Sequence, residues 1–407
     1  MASTNPNNGT LLGMTAVTTL ESFGNSTSNA SRAVWPAMTD AQKDARYTCN
    51  VYDFIIEAVF MGALCVFGFC GNTLSILCLN RDKSKTATPF LLVSLELADT
   101  FFLITVLILR VLTTLQTFTM SLPWLVDVFP YMGKYVFPCA MISEMATIYL
   151  TLLVTVNRYI SVCRPYEVSD FCSARHARRH VIVVVAFAMA YNVPRFFEYD
   201  VVQTFDERMN KTILINVPSS LFTNHIYQIV YSNVLYFLVM FCVPLIILII
   251  LNARLIKALR KTKKKRAQLL NSSTADSSSR SEDDITLVLI VVVLVFVVCQ
   301  TPALVTQLLI VILPEQHCPN PFFYYERISD LMVVANSSAN FIIYCFCSRK
   351  FRQILVSLLC KNRPDSPEPS HVARQYKQVP AQPRASVVST NLVVNGNTEA
   401  KTQVSCV

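Results

Sequence analysis

The sequence has very little charge. Asp, Glu, Lys and Arg make up only 15% of its 407 residues, whereas hydrophobic residues make up 53% and the mean hydropathy is +0.43. This composition excludes an ordinary water-soluble protein. The first fifty residues also lack a basic start followed by an apolar core. We therefore expect no cleavable signal peptide, and insertion into the membrane directed by the first apolar run.

Seven apolar runs are long enough to cross a hydrocarbon core of about 30 Å, which takes roughly 20 residues each. They are residues 53–79, 88–115, 134–162, 180–197, 227–256, 285–313 and 322–347. The pattern predicts an all-α fold, a seven-transmembrane helix bundle over residues 51–347. The tails at 1–50 and 361–407 are polar and are predicted to be disordered. Between the bundle and the second tail, residues 348–360 are predicted to form a short amphipathic eighth helix on the inner leaflet.

The orientation follows from lysine and arginine, which are concentrated in the loops at 80–87, 164–180 and 257–284. Such loops stay in the cytosol, so the N-terminus is predicted to be extracellular. Glycosylation sequons then lie on the outer face, at Asn8, Asn25, Asn29 and Asn210. The net charge of +9 is concentrated on the inner face, where it favours anionic lipid and a cytosolic protein partner over nucleic acid.

Among the fourteen cysteines, only Cys49 and Cys318 lie clearly outside. A disulfide between them would tie the N-terminal tail to the loop between the sixth and seventh runs, and two free thiols are the alternative. Cys360 ends the amphipathic segment and is predicted to be palmitoylated.

Ionisable residues occur at membrane depth. At 1.5 Å per residue, Arg110 lies about 16 Å outward of Asp99, and Glu144 and Asp330 also fall in the outer half of the bundle. Such side chains face a wet cavity or each other. Arg110 therefore either pairs with Glu144 or Asp330 as a structural bridge or contacts a ligand. If one arginine neutralises one acid, a spare negative charge remains for a cationic ligand.

Three motifs give the chain a family resemblance. Residues 157–159 read Asn-Arg-Tyr, 296–302 read Phe-Val-Val-Cys-Gln-Thr-Pro, and 336–344 read Asn-Ser-Ser-Ala-Asn-Phe-Ile-Ile-Tyr. With them the chain resembles the rhodopsin-like (class A) G-protein-coupled receptors from about Val51 to Cys360. The motifs depart from the family pattern because Asn157 replaces an acid, Gln300 a tryptophan and Phe341 a proline.

The resemblance implies how the protein signals. Arg158 would meet a heterotrimeric G protein once the sixth helix swings away. The other residues implied in activation are Asn157, Tyr159, Glu282, Phe296, Pro302, Asn340 and Tyr344. Glu282 would pair with Arg158 at rest, and a solvated charge at a helix end is the alternative.

A sodium site at Asp99 is also implied. Its further oxygen donors would be Thr147, Asn336, Ser337 and Asn340, and hard oxygen ligands suit a small cation. A polar network without an ion is the alternative. No other cofactor is expected.

The outer loops depart from the family pattern. Gly133 stands where most relatives have a cysteine bridged to the second outer loop, and residues 195–226 contain no cysteine to receive such a bridge. The second outer loop is therefore not expected to be fastened in the usual way.

The ligand class follows from a narrower resemblance. Residues 190–198, Ala-Tyr-Asn-Val-Pro-Arg-Phe-Phe-Glu, together with 336–344, look like the invertebrate FMRFamide and neuropeptide receptor group. This implies a short amidated peptide whose Arg seeks Glu144 or Asp330 and whose C-terminal Phe-amide enters the apolar bundle. Arg195 and Glu198 would shape the entrance or pair with each other. The remaining expected ligand contacts are Arg110, Gln300, Ala140 and Met141.

Other functions fit the sequence less well. Ala140 stands where amine receptors have an aspartate, and residues 322–347 lack the lysine that a retinal photoreceptor needs. A class A receptor for a different peptide or small molecule is the main alternative. A seven-span transporter predicts inverted repeats, and none is visible. The sequence has no nucleophile–base pair, phosphate loop or metal-ligand cluster of persuasive spacing, so no enzyme is predicted.

The expected setting is the plasma membrane. Besides the peptide, the G protein and lipid, the partners implied are receptor kinases and arrestin, acting on the C-terminal tail. Residues 405–407, Ser-Cys-Val, fit a PDZ-domain ligand, although chance also explains three residues.

Overall fold

The computed structural model describes residues 40–82, 87–164, 172–206, 211–269, 277–313 and 318–360. The described residues up to Leu359 belong to one compact unit. The predicted sequons, the side chain of Glu282 and the C-terminal Ser-Cys-Val lie outside the described residues.

Seven helices of the described chain are long and apolar enough to span a membrane, which confirms the predicted bundle. Several contain π-helical turns, so each is given with its segments. They are α1 (Asp40–Asp53, Phe54–Met61, Gly62–Asn80), α2 (Thr88–Val106, Leu107–Val111, Leu112–Thr119), α3 (Pro123–Tyr131, Met132–Val136, Phe137–Cys163), α4 (Ala174–Asn192, Val193–Phe197), α5 (Tyr227–Leu235, Phe237–Cys242, Val243–Leu269), α6 (Ser277–Ile312) and α7 (Pro321–Cys347). The eighth helix, α8 (Arg349–Leu359), follows directly.

The first helix starts earlier than the sequence analysis expected. It begins at Asp40, so residues 40–50 are helical rather than part of a disordered tail. Contacts with the α6–α7 loop and α7 hold this extension in place. Cys49 and Cys318 form a disulfide with a Cα–Cα distance of 6.2 Å, and the Tyr52 hydroxyl donates to the Tyr324 carbonyl at 3.1 Å. The third helix likewise begins at Pro123, ahead of the predicted start at 134.

Helices α1 and α7 pack closely because α1 presents glycine at their contact. A Cβ atom at Gly71 would lie only 2.9 Å from Cβ of Phe341. Hydrogen bonds accompany this approach: Asn72 Nδ2 donates to the Ser337 carbonyl at 3.2 Å, and Ser338 Oγ to the Leu64 carbonyl at 3.0 Å. The contact therefore fixes the position of the α7 segment 336–340, which carries four polar residues.

The second outer loop contains an antiparallel hairpin that the sequence analysis did not predict. Strands β1 (Tyr199–Asp206) and β2 (Lys211–Pro218) pair from Tyr199↔Pro218 to Asp206↔Lys211. Both strands are rich in β-branched and aromatic residues, which favour extended structure. A strand search of this loop would have found them.

The hairpin lies directly on the outer end of α3. A Cβ atom at Gly133 would lie 2.5 Å from Nδ2 of Asn216, so the glycine permits a close approach. Lys134 Nζ lies 3.0 Å from Oδ1 of Asp200, and Lys211 Nζ lies 3.6 Å from Oδ1 of Asp127. Packing and ion pairs thus hold the loop at the place where most relatives use a disulfide.

Candidate functional site

Charged side chains at the outer end of the bundle form a continuous series, which we call the outer ion chain: the half-buried Asp53 and the buried Arg327, Glu57, Arg110 and Asp330. Arg327 Nε lies 2.8 Å from Oδ1 of Asp53 and 3.2 Å from Oε1 of Glu57. Arg110 Nη1 lies 3.2 Å from the same Glu57 oxygen, and its Nη2 pairs with Oδ2 of Asp330. The chain thus joins α1, α2 and α7.

Burial makes these pairings obligatory. Arg327 is 0% exposed and Arg110 is 4% exposed, and a charge removed from water is costly unless it is paired. Thr114 also donates to Glu57, and the Arg327 guanidinium lies 4.5 Å from the centre of the Phe323 ring. Because Arg327 Nη1 also lies 3.3 Å from Oε2 of Glu326, four acids surround the two arginines, and the cluster retains two net negative charges if all are ionised.

The local backbone is unusual where two of these charges originate. Glu57 lies in the π-helical segment Phe54–Met61 and Arg110 lies in the π-helical segment Leu107–Val111. Such wider turns re-aim side chains and are frequent at functional sites.

Only part of the outer ion chain was predicted from the sequence. The sequence left open whether Arg110 pairs with Glu144, pairs with Asp330 or contacts a ligand, and the structure pairs it with Asp330. Asp53, Glu57 and Arg327 were not predicted. Glu57 and Arg327 are ionisable residues within predicted spans, so the same rule on intramembrane charge would have singled them out.

Glu144 faces a small cavity in the outer half of the bundle. It shares this cavity with Phe102, Tyr236, Phe241, Ala303, Asp330, Val333 and Val334. The side chain is buried, and within the described residues its Oε2 has no hydrogen-bond partner. Asp330 already binds Arg110, so Glu144 is the cavity acid that most needs a cation.

The other predicted ligand contacts do not line this cavity. Ala140 and Met141 belong to the buried core, and Gln300 is buried with its Oε1 lacking a hydrogen-bond partner in the described part. Arg110 is occupied by the outer ion chain. Among the predicted contacts, therefore, only Glu144 and Asp330 line the described cavity.

Arg195 and Glu198 pair with each other and do not open to an entrance. Arg195 Nη1 lies 3.6 Å from Oε1 of Glu198, and the Tyr227 hydroxyl donates to the same oxygen at 2.8 Å. Burial raises the pKa of Glu198, while the charge of Arg195 and the Tyr227 hydrogen bond lower it. The guanidinium also lies 5.1 Å from the centre of the Tyr236 ring, which lines the cavity, so this pair supports the cavity wall.

Midway through the bundle, Asp99 collects donors from two other helices. Thr147 Oγ1 donates to its Oδ1 at 3.1 Å, Asn340 Nδ2 donates to its Oδ2 at 2.8 Å, and Ser337 is a further hydrogen-bond partner. Asn336 is buried, and no hydrogen bond joins it to Asp99 within the described residues. Three of the four predicted donors are therefore brought to this carboxyl.

A second acid that the sequence analysis did not assign lies one turn away. Glu96 Oε1 accepts a hydrogen bond from the Tyr344 hydroxyl at 2.7 Å. The tyrosine is one of the residues implied in activation. The helical spacing of Glu96 and Asp99, three residues apart, puts both on one face of α2 and would have indicated their proximity.

At the inner end, Arg158 and Tyr344 line a cavity of about 540 Å³ between α1, α2, α3, α6, α7 and α8. Asn157 Nδ2 lies 3.4 Å from Oγ1 of Thr88, which also lines the cavity, and Lys350 of α8 pairs with Asp82 after α1. Tyr159 is half-buried. In α6, Phe296 is buried in the core, and Pro302 lies inside the helix.

Comparison with known proteins gives consistent matches. The family model described as "7 transmembrane receptor (rhodopsin family)" matches residues 71–344. The FMRFamide receptor of Drosophila melanogaster is 30% identical over 79% of this chain, and the FMRFamide peptide receptor frpr-18 of Caenorhabditis elegans is 30% identical over 72%. The chain spans 56% and 66% of these two relatives. Human neurotensin receptor type 1 is 22% identical over 93% of this chain and 91% of its own length.

Breaking the outer ion chain should destabilise the protein. Arg327→Met would leave the half-buried Asp53 without this partner and the buried Glu57 with Arg110 alone, which we expect to cost about 3–5 kcal/mol. The measurement is the thermal unfolding midpoint of the purified protein in detergent. Lys43→Met is the matched control, because it removes an exposed pair with Asp40 on the same helix and should cost under about 1 kcal/mol. Equal shifts for the two variants would contradict a structural role for the chain.

Proposed function

Because the chain belongs to the rhodopsin family of seven-transmembrane receptors and groups there with FMRFamide receptors, we propose that it is a receptor for a short amidated peptide. It is a multi-pass membrane protein and a receptor rather than an enzyme. The observation that supports the peptide best is Glu144, a buried carboxylate in an outer cavity without an ion pair in the described part of the chain.

The ligand's cationic group would bind Glu144. Both cavity acids were candidates for this role, but Arg110 already neutralises Asp330. The rest of the lining is mainly aromatic and aliphatic, which suits the side chain of a C-terminal Phe-amide. As it stands the cavity has room for about one water molecule at most, so a peptide end enters it only after the surrounding helices move apart.

The proposed output is nucleotide exchange on a heterotrimeric G protein. Arg158 supplies a cation at the inner cavity, and the inner loops are basic.

With these loops in the cytosol, we place the receptor in the plasma membrane with its N-terminus and the four sequons outside. Cys360, exposed after α8, is our proposed palmitoylation site. Kinases, arrestin and a PDZ protein are proposed partners of the tail that follows.

A second-messenger screen tests this function. Cells expressing the chain would be challenged with amidated peptides that end in different residues, while calcium and cyclic AMP are recorded together. We expect nanomolar responses confined to Arg-Phe-amide peptides, and much weaker responses to the same peptides with a free C-terminal carboxylate. Silence across the panel, with the protein shown to be at the cell surface, would refute the peptide class and leave the receptor family intact.

Glu144→Gln should weaken the active peptide by about 30-fold or more in EC50, since losing one partner of a buried charge pair costs about 2 kcal/mol at least. Asp330→Asn should have a smaller effect because Arg110 already neutralises that acid. Asp40→Asn, an exposed outer acid at the start of α1, is the control and should change nothing.

A modified peptide sharpens this test. Replacing its Arg by the neutral isostere citrulline should weaken it at the wild-type receptor but cause no further loss at Glu144→Gln. If both the citrulline peptide and the Arg peptide lose potency equally at Glu144→Gln, the proposed pairing is wrong.

We also propose that Asp99, with Thr147, Ser337 and Asn340, binds Na⁺. Binding to the folded state stabilises it by about 1.4 kcal/mol when the ion is at ten times its dissociation constant. The unfolding midpoint should therefore rise in NaCl relative to equal choline chloride, and Asp99→Asn should abolish the difference. An identical response in both proteins would favour a polar network without an ion.

A further inference from the structure

The hydrogen bond between Glu96 and Tyr344 is buried on both sides. Glu96 is 0% exposed and Tyr344 is 2% exposed, so water does not compete for either partner. The Tyr344 hydroxyl donates to Oε1 of Glu96 at 2.7 Å, across the interface between α2 and α7. A buried hydroxyl that loses its acceptor is strongly penalised, so this bond selects one position of the tyrosine.

Tyr344 connects two regions of the bundle. Its hydroxyl reaches the polar centre, where Asn340 of the same helix donates a hydrogen bond to Asp99. Its ring lies 5.4 Å from that of Phe351 in α8 and lines the inner cavity together with Arg158. A displacement of Tyr344 would therefore change the polar centre, the α7–α8 junction and the inner cavity together.

The arrangement seen here does not admit a protein segment at the inner end. Two turns of α-helix, about 11 Å long and 10 Å across, occupy roughly 850 Å³. The inner cavity measures about 540 Å³ even when space open to solvent is counted, and Val288 of α6 lies in its wall with Arg158. A protein partner can insert between these helices only after they move, so the Glu96–Tyr344 bond belongs to the arrangement that precedes partner binding.

We infer that Glu96 is a positioning residue that holds Tyr344 and the inner end of α7 in this closed arrangement, and that signalling requires the bond to break. The inference about signalling rests on the proposed receptor function. The hold on Tyr344 does not, because it acts without ligand or G protein.

Four variants separate the hydrogen bond from other roles of the acid. Glu96→Leu removes the acceptor at similar size, whereas Glu96→Gln removes the charge but keeps an acceptor oxygen. Tyr344→Phe removes only the donor hydroxyl, which keeps the test available if Glu96→Leu fails to fold. Ser94→Ala is the control on α2, because within the described part of the chain Ser94 Oγ bonds its own helix, at the Phe90 carbonyl.

The first measurement is hydrogen–deuterium exchange of the segment 344–347 in the purified full-length receptor, without peptide or G protein. We expect exchange about two- to tenfold faster in Glu96→Leu and Tyr344→Phe, the range that the net contribution of one hydrogen bond allows. Glu96→Gln and Ser94→Ala should stay within about twofold of wild type. In the double variant Glu96→Leu/Tyr344→Phe, the two effects should not add, because both act on one bond.

The second measurement is ligand-independent signalling in cells that carry equal amounts of receptor at the surface. It should rise in Glu96→Leu and Tyr344→Phe, and the variant with the faster exchange should show the larger rise. Unchanged exchange in Glu96→Leu and Tyr344→Phe would overturn the inference, as would equal acceleration in Glu96→Gln and Glu96→Leu. Faster exchange with unchanged basal signalling would refute the link to signalling. Silence towards peptides would refute only the proposed ligand class.

Discussion

The structure depends on how charge is neutralised away from water. Two arginines on α2 and α7 bind four acids on α1 and α7, and because both arginines are buried, the positions of these helices are set by the need to keep each partner. The same arrangement separates the two acids of the outer cavity. Arg110 takes up the charge of Asp330, whereas Glu144 faces the cavity with no ion pair in the described part of the chain. Helix packing and the charge of the outer cavity are thus two results of one set of ion pairs.

Much of this organisation could be predicted from the sequence. Span length is a local property, so seven apolar runs were enough to predict the bundle, and α8 followed from its two-sided pattern. Asp99 and its donors Thr147, Ser337 and Asn340 followed from the family resemblance. The pairing of Arg110 could not be predicted, because it depends on how each helix is rotated and on π-helical turns that change that rotation. The role of Glu96 was hidden for the same reason, since it depends on where Tyr344 of α7 points.

The second outer loop shows a different limit of prediction from the sequence. The missing cysteines indicated that no disulfide fastens it, but an absence does not say what takes its place. Here the replacement is a hairpin that lies against Gly133 and is joined to α3 by Lys134–Asp200 and Lys211–Asp127. Exposed ion pairs of this kind are weak and sensitive to salt. The interactions that hold the second outer loop to α3 are therefore much weaker than those that hold α1 to α7.

The bridge between Cys49 and Cys318 also changes the topology of the molecule. The two cysteines are 269 positions apart, so the disulfide closes a covalent ring that contains six of the seven spanning helices. A single backbone cut in any loop inside this ring, including the long basic loop between α5 and α6, would leave both pieces joined until the bridge was reduced. The seventh helix and the segments after it lie outside the ring, attached through a single continuous stretch of backbone, as are the residues before Cys49.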